Sequence, residues 1–275
     1  MGQRSGVDTA FTPRTPRIVA ARRLQRRRER DATGLFLAEG PQAVREALAV
    51  EGCVQELFGT GEAFARHAAL TRAAGDRAST VTEDGLAALA ETVRPQGLVA
   101  VCRQLDVPLS VTLAKLPRLV AVLAGIRDPG NAGTVLRTAD AAGAAAVVFA
   151  GEAVDPYNGK AVRASAGSLF HLDVVREPDS GRVLAALRDG GLRVFAADAY
   201  GEADLDDLAD SGRLAAPTAW LFGSEAHGLP AEIVAIADAR VRVPLHGRAE
   251  SLNLAAAAAV CLYASARALR MKGTP

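Results

Sequence analysis

The stretch VRVPLHGRAESLNLAAAAAVCLYASARAL, Val241 to Leu269, constrains this chain more than any other. Val241-Arg242-Val243 is a short β-branched run and reads as a buried strand. Pro244 ends it, because proline has no N–H to offer a ladder. The polar loop His246-Gly247-Arg248-Ala249-Glu250 follows. Ser251 and Asn253 then flank Leu252 ahead of a long alanine-rich run. Ser and Asn suit a helix start, where their side chains satisfy orphan backbone N–H groups. Alanine favours helix and lets a second backbone come close. A strand, a polar loop and a close-packing helix therefore fall within a few residues. An ordinary β–α connection and a ligand-binding edge share this pattern, and the stretch alone does not separate them.

The chain has 275 residues, enough for two domains or one large one. Its 49% hydrophobic content with 4% aromatics points to small-residue α/β packing. The long apolar stretches are broken by charge, Gly or Pro within about 18 residues, so no membrane span is expected. The N-terminus is Arg-rich and lacks the apolar segment of a secretory signal. Cys53, Cys102 and Cys261 lie far apart in sequence and form no CxxC or metal-ligand spacing. We expect three buried thiols, a reducing cytosol and no metal. The formal net charge of +1 hides an uneven distribution. Arg14, Arg17, Arg22, Arg23, Arg26, Arg27, Arg28 and Arg30 crowd one segment, and Lys115, Lys160 and Lys272 are the only lysines. Arginine suits phosphate and base recognition. A solvated basic helix has the same composition.

Taken in order, residues 1–15 are expected to be disordered. From Pro16 a single basic amphipathic helix should run to Gly34. A strand and turn are expected at Leu35–Gly40, strands at Val54–Phe58 and Gly97–Cys102, and helices at Pro41–Val50, Phe64–Ala74 and Glu83–Glu91. That alternation makes a first α/β domain, residues 16–105. A proline-bearing linker is placed at 106–117. Arg118 to Ala124 (RLVAVLA) is a continuous apolar run, as expected of a central parallel strand buried on both faces. It opens a second α/β domain, residues 118–272.

Three blocks in that domain could do chemistry. In GIRDPGNAGTVLRTADAAG, Asp128-Pro129-Gly130-Asn131 reads as a turn, with Asn131, Gly133 and Arg137 at the mouth of a helix. They would meet at a strand's C-terminal edge, where open α/β sheets bind ligands. DPYNGKAVRASAGSLF gathers Lys160, Arg163, Ser165 and Ser168, groups able to hold phosphate or ribose. WLFGSEAHGLP runs a strand into Gly223, Glu225 and Gly228; His227 beside them has the marks of an ordinary loop histidine. No GxGxxG follows a first strand, no GxxxxGK[ST] occurs and no GxSxG elbow is present, which argues against dinucleotide, P-loop and serine-hydrolase readings.

Together these blocks resemble the SpoU-type RNA ribose methyltransferases of the SPOUT superfamily. The resemblance rests on Asn131-x-Gly133-x-x-x-Arg137, Gly223-x-Glu225-x-x-Gly228 and Val243-Pro244 leading to Ser251-Leu252-Asn253, in that order, and covers about residues 118–270. Asp155-Pro-Tyr-Asn and Arg163-Ala-Ser-x-Gly also look like that family. The N-terminal part, with Phe36-Leu-Ala-Glu-Gly40, looks like its accessory RNA-binding domain, a small α/β fold resembling ribosomal proteins. The resemblance implies a parallel sheet with a deep trefoil knot, a homodimer, and S-adenosyl-L-methionine as methyl donor. The implied acceptor is a ribose 2′-hydroxyl, in ribosomal RNA ahead of transfer RNA. Arg137 would act on that hydroxyl, and Asn131, Glu225, Ser251 and Asn253 would shape the site. Gly223, Gly228, Val243, Pro244, Leu245 and Leu252 would hold the donor. Arg22, Arg23, Arg26, Arg27, Lys160, Arg163 and Ser165 would contact RNA. His246 departs from the small residue the family commonly carries and receives no role. Two other readings stay open: a non-catalytic RNA-binding or ribosome-assembly protein, and a SPOUT base methyltransferase.

Overall fold

The computed structural model describes residues 10–224 and 228–271, and the chain divides into two units. One comprises the N-terminal residues to Gln104 together with Tyr157–Phe170; the other comprises Leu105–Pro156 and the chain from His171.

The first unit opens with α1 (Pro16–Arg23) and α2 (Arg27–Thr33) in place of the expected single helix. The break comes at Arg26, whose backbone is extended at φ −96°, ψ 131°. Arg30 is buried and explains the break, since its Nη1 donates to the carbonyls of Leu24 (2.8 Å) and Gln25 (3.0 Å). Those carbonyls are left without helical partners at a helix end, and a guanidinium satisfies them. Gly34 then ends α2 at φ 66°, a left-handed conformation that glycine adopts at no steric cost. There follow β1 (Leu35–Glu39), α3 (Pro41–Ala49), β2 (Val54–Gly59), α4 (Gly61–Arg66), α5 (Ala68–Ala74), β3 (Ala78–Thr80), α6 (Glu83–Leu89) and β4 (Leu98–Arg103). The helix expected at Phe64–Ala74 is split at His67. The sheet order is β1-β4-β2-β3, antiparallel except for β2 with β3. Ile18, Leu24, Phe58, Leu86, Leu89 and Val99 share its core, so the apolar stripe of α1 is what anchors that helix. Part of the disorder expected for residues 1–15 is replaced by order: Phe11 pairs with the edge strand through its N–H to Thr80 O (2.8 Å). Residues 1–9 lie outside the described residues.

Cys53 and Cys102, far apart in sequence, are neighbours here. Both are buried, and their thiols hydrogen-bond to each other, which lowers the pKa of Cys53. Burial raises that of Cys102, and the hydrogen bond to Cys53 adds to the rise.

The second unit begins with α7 (Leu109–Ala114), a helix inside the expected linker. Pro108 precedes the helix, where a missing N–H costs nothing. Thr112 Oγ1 and Lys115 Nζ both reach the carboxylate of Asp173. The segment is therefore packed structure and not a free connection. Next come β5 (Leu119–Ala124), α8 (Pro129–Ala142), β6 (Ala146–Ala150), α9 (Gly159–Ala164, grouped with the first unit), β7 (Asp173–Glu177), α10 (Ser180–Asp189), β8 (Arg193–Ala197), β9 (Ala203–Asp204), α11 (Leu205–Asp210), β10 (Thr218–Phe222), α12 (Ala231–Val234), β11 (Ala239–Arg242) and α13 (Leu254–Met271). The seven strands lie in the order β7-β6-β5-β10-β8-β11-β9, and all paired strands are parallel. β5, β6 and β10 are buried along their whole length, as their unbroken apolar runs require. Val120, Val122, Val148, Val194 and Leu221 face α10 through Val183, Leu184 and Leu187.

The other sheet face carries Trp220, stacked against Phe222 at 6.5 Å and tilted on Phe195 at 5.5 Å. Its buried indole Nε1–H donates to Ser265 Oγ of α13 at 2.8 Å. α13 is long and apolar enough to cross a bilayer by length and composition. Its buried side chains, Leu254, Ala255, Ala258, Cys261, Leu262, Ser265, Ala266 and Leu269, are mostly small, which lets it lie close on α8 and the sheet. Arg118 Nη2 donates to Leu269 O (3.3 Å) near its last turn.

Candidate active site

The segment expected to be a turn at Asp128–Asn131 is the first turn of α8. Asp128 is the N-cap, its Oδ1 accepting the Asn131 N–H at 2.7 Å, and Pro129 occupies the first helical position. Asn131 is thereby fixed at the strand's C-terminal edge. Its Oδ1 accepts a hydrogen bond from Asn253 Nδ2 at 3.4 Å. Asn253 in turn caps α13, its Oδ1 accepting the Ala255 N–H at 2.9 Å. Two helix starts are thus joined by one amide pair. Arg137, on α8, is exposed and has no hydrogen-bond or ion-pair partner among the described residues. A guanidinium so presented is available to an anionic or hydroxyl group of a substrate.

A pocket of about 790 Å³ opens beside this pair. Gly223, Gly228, Val243, Leu245, Ser251, Leu252 and Asn253 all line it. It sits at the C-terminal ends of β8, β10 and β11, where parallel sheets place their ligands. After β10 the chain folds on itself, with Ser224 and Gly228 exchanging backbone hydrogen bonds of 3.2 and 2.8 Å. A Cβ on Gly223 would stand 2.5 Å from the Gly228 carbonyl, so only glycine fits there. Val243 and Pro244 follow β11 and do not extend it; Pro244 is partly buried and outside the pocket lining. His246 is exposed on the loop and does not line the pocket. Glu225 and His227, named from the sequence, lie outside the described residues.

The motifs did not point to a second wall, made by Asp198, Ala199 and Tyr200, nor to Glu250. The only available signal was position, since Asp198 directly follows β8.

The RNA-contact residues named from the sequence fall in the first unit and separate into two groups. Arg22, Arg23, Arg26 and Arg27 are exposed; Arg27 Nε lies 3.5 Å from Asp31. Lys160 is also exposed. Arg163 instead is held by Glu91 (3.0 Å) and Glu39 (3.4 Å). Ser165 is fully buried, its hydroxyl donating to Val162 O at 2.7 Å. Ser165 therefore presents no hydroxyl to solvent, and Arg163 is engaged by two carboxylates.

The family model described as SpoU rRNA Methylase family matches residues 118–263, and one described as MRM3-like substrate binding domain matches residues 15–100. The chain belongs to the SpoU rRNA methylase family. It is 35% identical over 242 residues to the 23S rRNA (guanosine(2553)-2′-O)-methyltransferase RlmP of Bacillus subtilis, covering 88% of this chain and 92% of that one. Among solved structures it resembles an AdoMet-bound rRNA methyltransferase from Sinorhizobium meliloti (TM-score 0.80, 32% identity, 94% of this chain and 97% of that one). It also resembles the SpoU methyltransferase AviRb of Streptomyces viridochromogenes in complex with AdoMet (TM-score 0.80, 33% identity, 94% and 100%).

Proposed function

We propose that this protein transfers a methyl group from S-adenosyl-L-methionine to a ribose 2′-hydroxyl of ribosomal RNA. The observation that carries the reading is the meeting of Asn131, Asn253 and the pocket of about 790 Å³ at one sheet edge, on the same helix start that leads to Arg137. That volume suits a ligand of the donor's size. Its walls supply backbone groups around Gly223 and Gly228 and apolar contact from Val243, Leu245 and Leu252, which fit an adenosine. The bound donor supplies a methyl already activated on a sulfonium sulfur, so alignment contributes much of the rate.

Arg137 contributes a planar guanidinium with five N–H donors. Its role is to position the ribose and to stabilise negative charge growing on the 2′-oxygen. Asn131 and Asn253 hold the two helix starts in register around that point, and Ser251 lines the pocket beside them. Glu225 belongs to the same constellation by motif. Arg22, Arg23, Arg26 and Arg27 grip RNA phosphates, with Lys160 in support. We further infer a cytoplasmic homodimer with a knotted C-terminal segment.

The test is methyl transfer from labelled donor to ribosomal RNA, followed by nuclease digestion. Label on a ribose 2′-oxygen supports the proposal. Label on a base favours a base methyltransferase, and no transfer with intact RNA binding favours a ribosome-assembly role.

A further inference from the structure

Tyr200 is 84% exposed, and its ring has no hydrogen-bonding or aromatic partner among the described residues. Its backbone, by contrast, is held on both sides. The Tyr200 N–H donates to Asp198 Oδ1 (2.8 Å), and Tyr200 O accepts from Arg240 Nη2 (2.8 Å). Arg240 Nε also reaches Asp198 Oδ2 (3.2 Å), and the Asp198 N–H donates to Val241 O (2.9 Å). A Cβ on Gly201 would stand 2.7 Å from the Arg240 backbone, so the loop sits tight against β11. The result is a large flat side chain presented to water from an ordered loop.

Tyr200 lines the pocket. Two further large apolar side chains left exposed, Leu245 (38%) and Leu252 (37%), border the same pocket from the loop before α13. Exposed apolar groups gathered around one cavity mark a binding surface. A phenol ring stacks on a planar heteroaromatic, and the adenosine of the methyl donor is the planar group that these walls would hold.

We propose that Tyr200 covers the bound methyl donor, its ring packing on the adenosine between Leu245 and Leu252. The proposal rests on assigning this pocket to the donor. The ring acts through its face, so the hydroxyl is dispensable. Stacking of an aromatic side chain on a base is worth about 1–3 kcal/mol, roughly five- to 150-fold in affinity.

The experiment is calorimetric titration of the full chain with S-adenosyl-L-methionine and with its demethylated product, for wild type, Tyr200→Ala and Tyr200→Phe. We expect Tyr200→Ala to weaken both ligands by about tenfold and Tyr200→Phe to stay within about twofold of wild type. The melting temperature without ligand should not change, because the side chain is 84% exposed. In steady state the donor KM should rise in Tyr200→Ala while kcat at saturating donor is retained. Equal donor affinity in Tyr200→Ala and wild type overturns the proposal, and so does unchanged donor affinity with a raised KM for RNA, which would assign the ring to a nucleobase. If wild type binds no donor, the pocket assignment itself fails. If wild type binds and Tyr200→Ala binds equally well, only the role of Tyr200 fails.

Discussion

Asn253 donates through Nδ2 to Oδ1 of Asn131 across 3.4 Å and 122 positions of sequence. Each residue also serves its own helix start: Asn131 through its N–H to Asp128, Asn253 through its Oδ1 to Ala255. Changing Asn253 therefore removes both the bridge and a cap, whereas changing Asn131 removes the bridge and keeps its backbone N–H on Asp128. Replacing Asn253 with Ala removes a cap and should cost about 1 kcal/mol of stability. The pair should be non-additive: Asn131→Ala, Asn253→Ala and the double variant should show a coupling energy of about 0.5–3 kcal/mol in a thermal or denaturant cycle. Strict additivity would show that the contact does not join the two helices.

The exposed arginines of the first unit should act on RNA and leave the donor alone. Replacing Arg22, Arg23, Arg26 and Arg27 together with Gln should weaken RNA binding and flatten its salt dependence. The slope of log affinity on log salt should fall by about 0.7–0.9 for each lost phosphate contact. Arg30 behaves differently, because it is buried on the Leu24 and Gln25 carbonyls. Arg30→Ala should lower the melting temperature, whereas Arg23→Ala should not. Filter binding across a salt series and a thermal melt check both statements.

Burial in α13 pushes the Cys261 thiol up to about 12. Between the ordinary thiol range and that value, the folded thiol keeps its proton while the unfolded one loses it. Stability therefore falls as pH rises through this window, with a slope of up to about 1.4 kcal/mol per pH unit from one group. Cys102, also raised by burial, acts in the same direction. Cys261→Ala should flatten the alkaline side of the stability profile and leave neutral pH free of any ionisation effect. An unchanged alkaline slope would show that this thiol does not titrate across unfolding.

Much of this fold was legible because its central strands, such as β5 and β6, are pure apolar runs. RLVAVLA announced β5, and the parallel α/β architecture followed from strand and helix alternation. The chain misled where a residue served a distant partner. Arg30 looked like one more cation of a basic helix, yet its guanidinium closes the break between α1 and α2. Pro108 read as a linker proline, but it stands at the start of α7, which is tied to Asp173. Asp128-Pro129-Gly130 carries turn residues that serve equally as an N-cap and a first helical turn. In the candidate site, Gly223 was marked by its place after a strand and Asn253 by its place before a helix, while Leu252 entered through the family resemblance. Asp198 and Tyr200 were not, because nothing but their place after β8 brings them to the pocket. Arg163 and Ser165 looked like RNA contacts, since no local pattern shows Glu39 and Glu91 or a buried hydroxyl.

The most direct test of the central claim is single-turnover methyl transfer to ribosomal RNA by wild type and Arg137→Ala, with donor affinity measured in parallel. Arg137 is exposed and unpaired among the described residues, so its loss should leave folding and donor affinity intact. Loss of one preorganised charge-stabilising donor should slow transfer by about 10²–10³-fold. The label from wild type should sit on a ribose 2′-oxygen. Full activity in Arg137→Ala, or label on a base, would contradict the account.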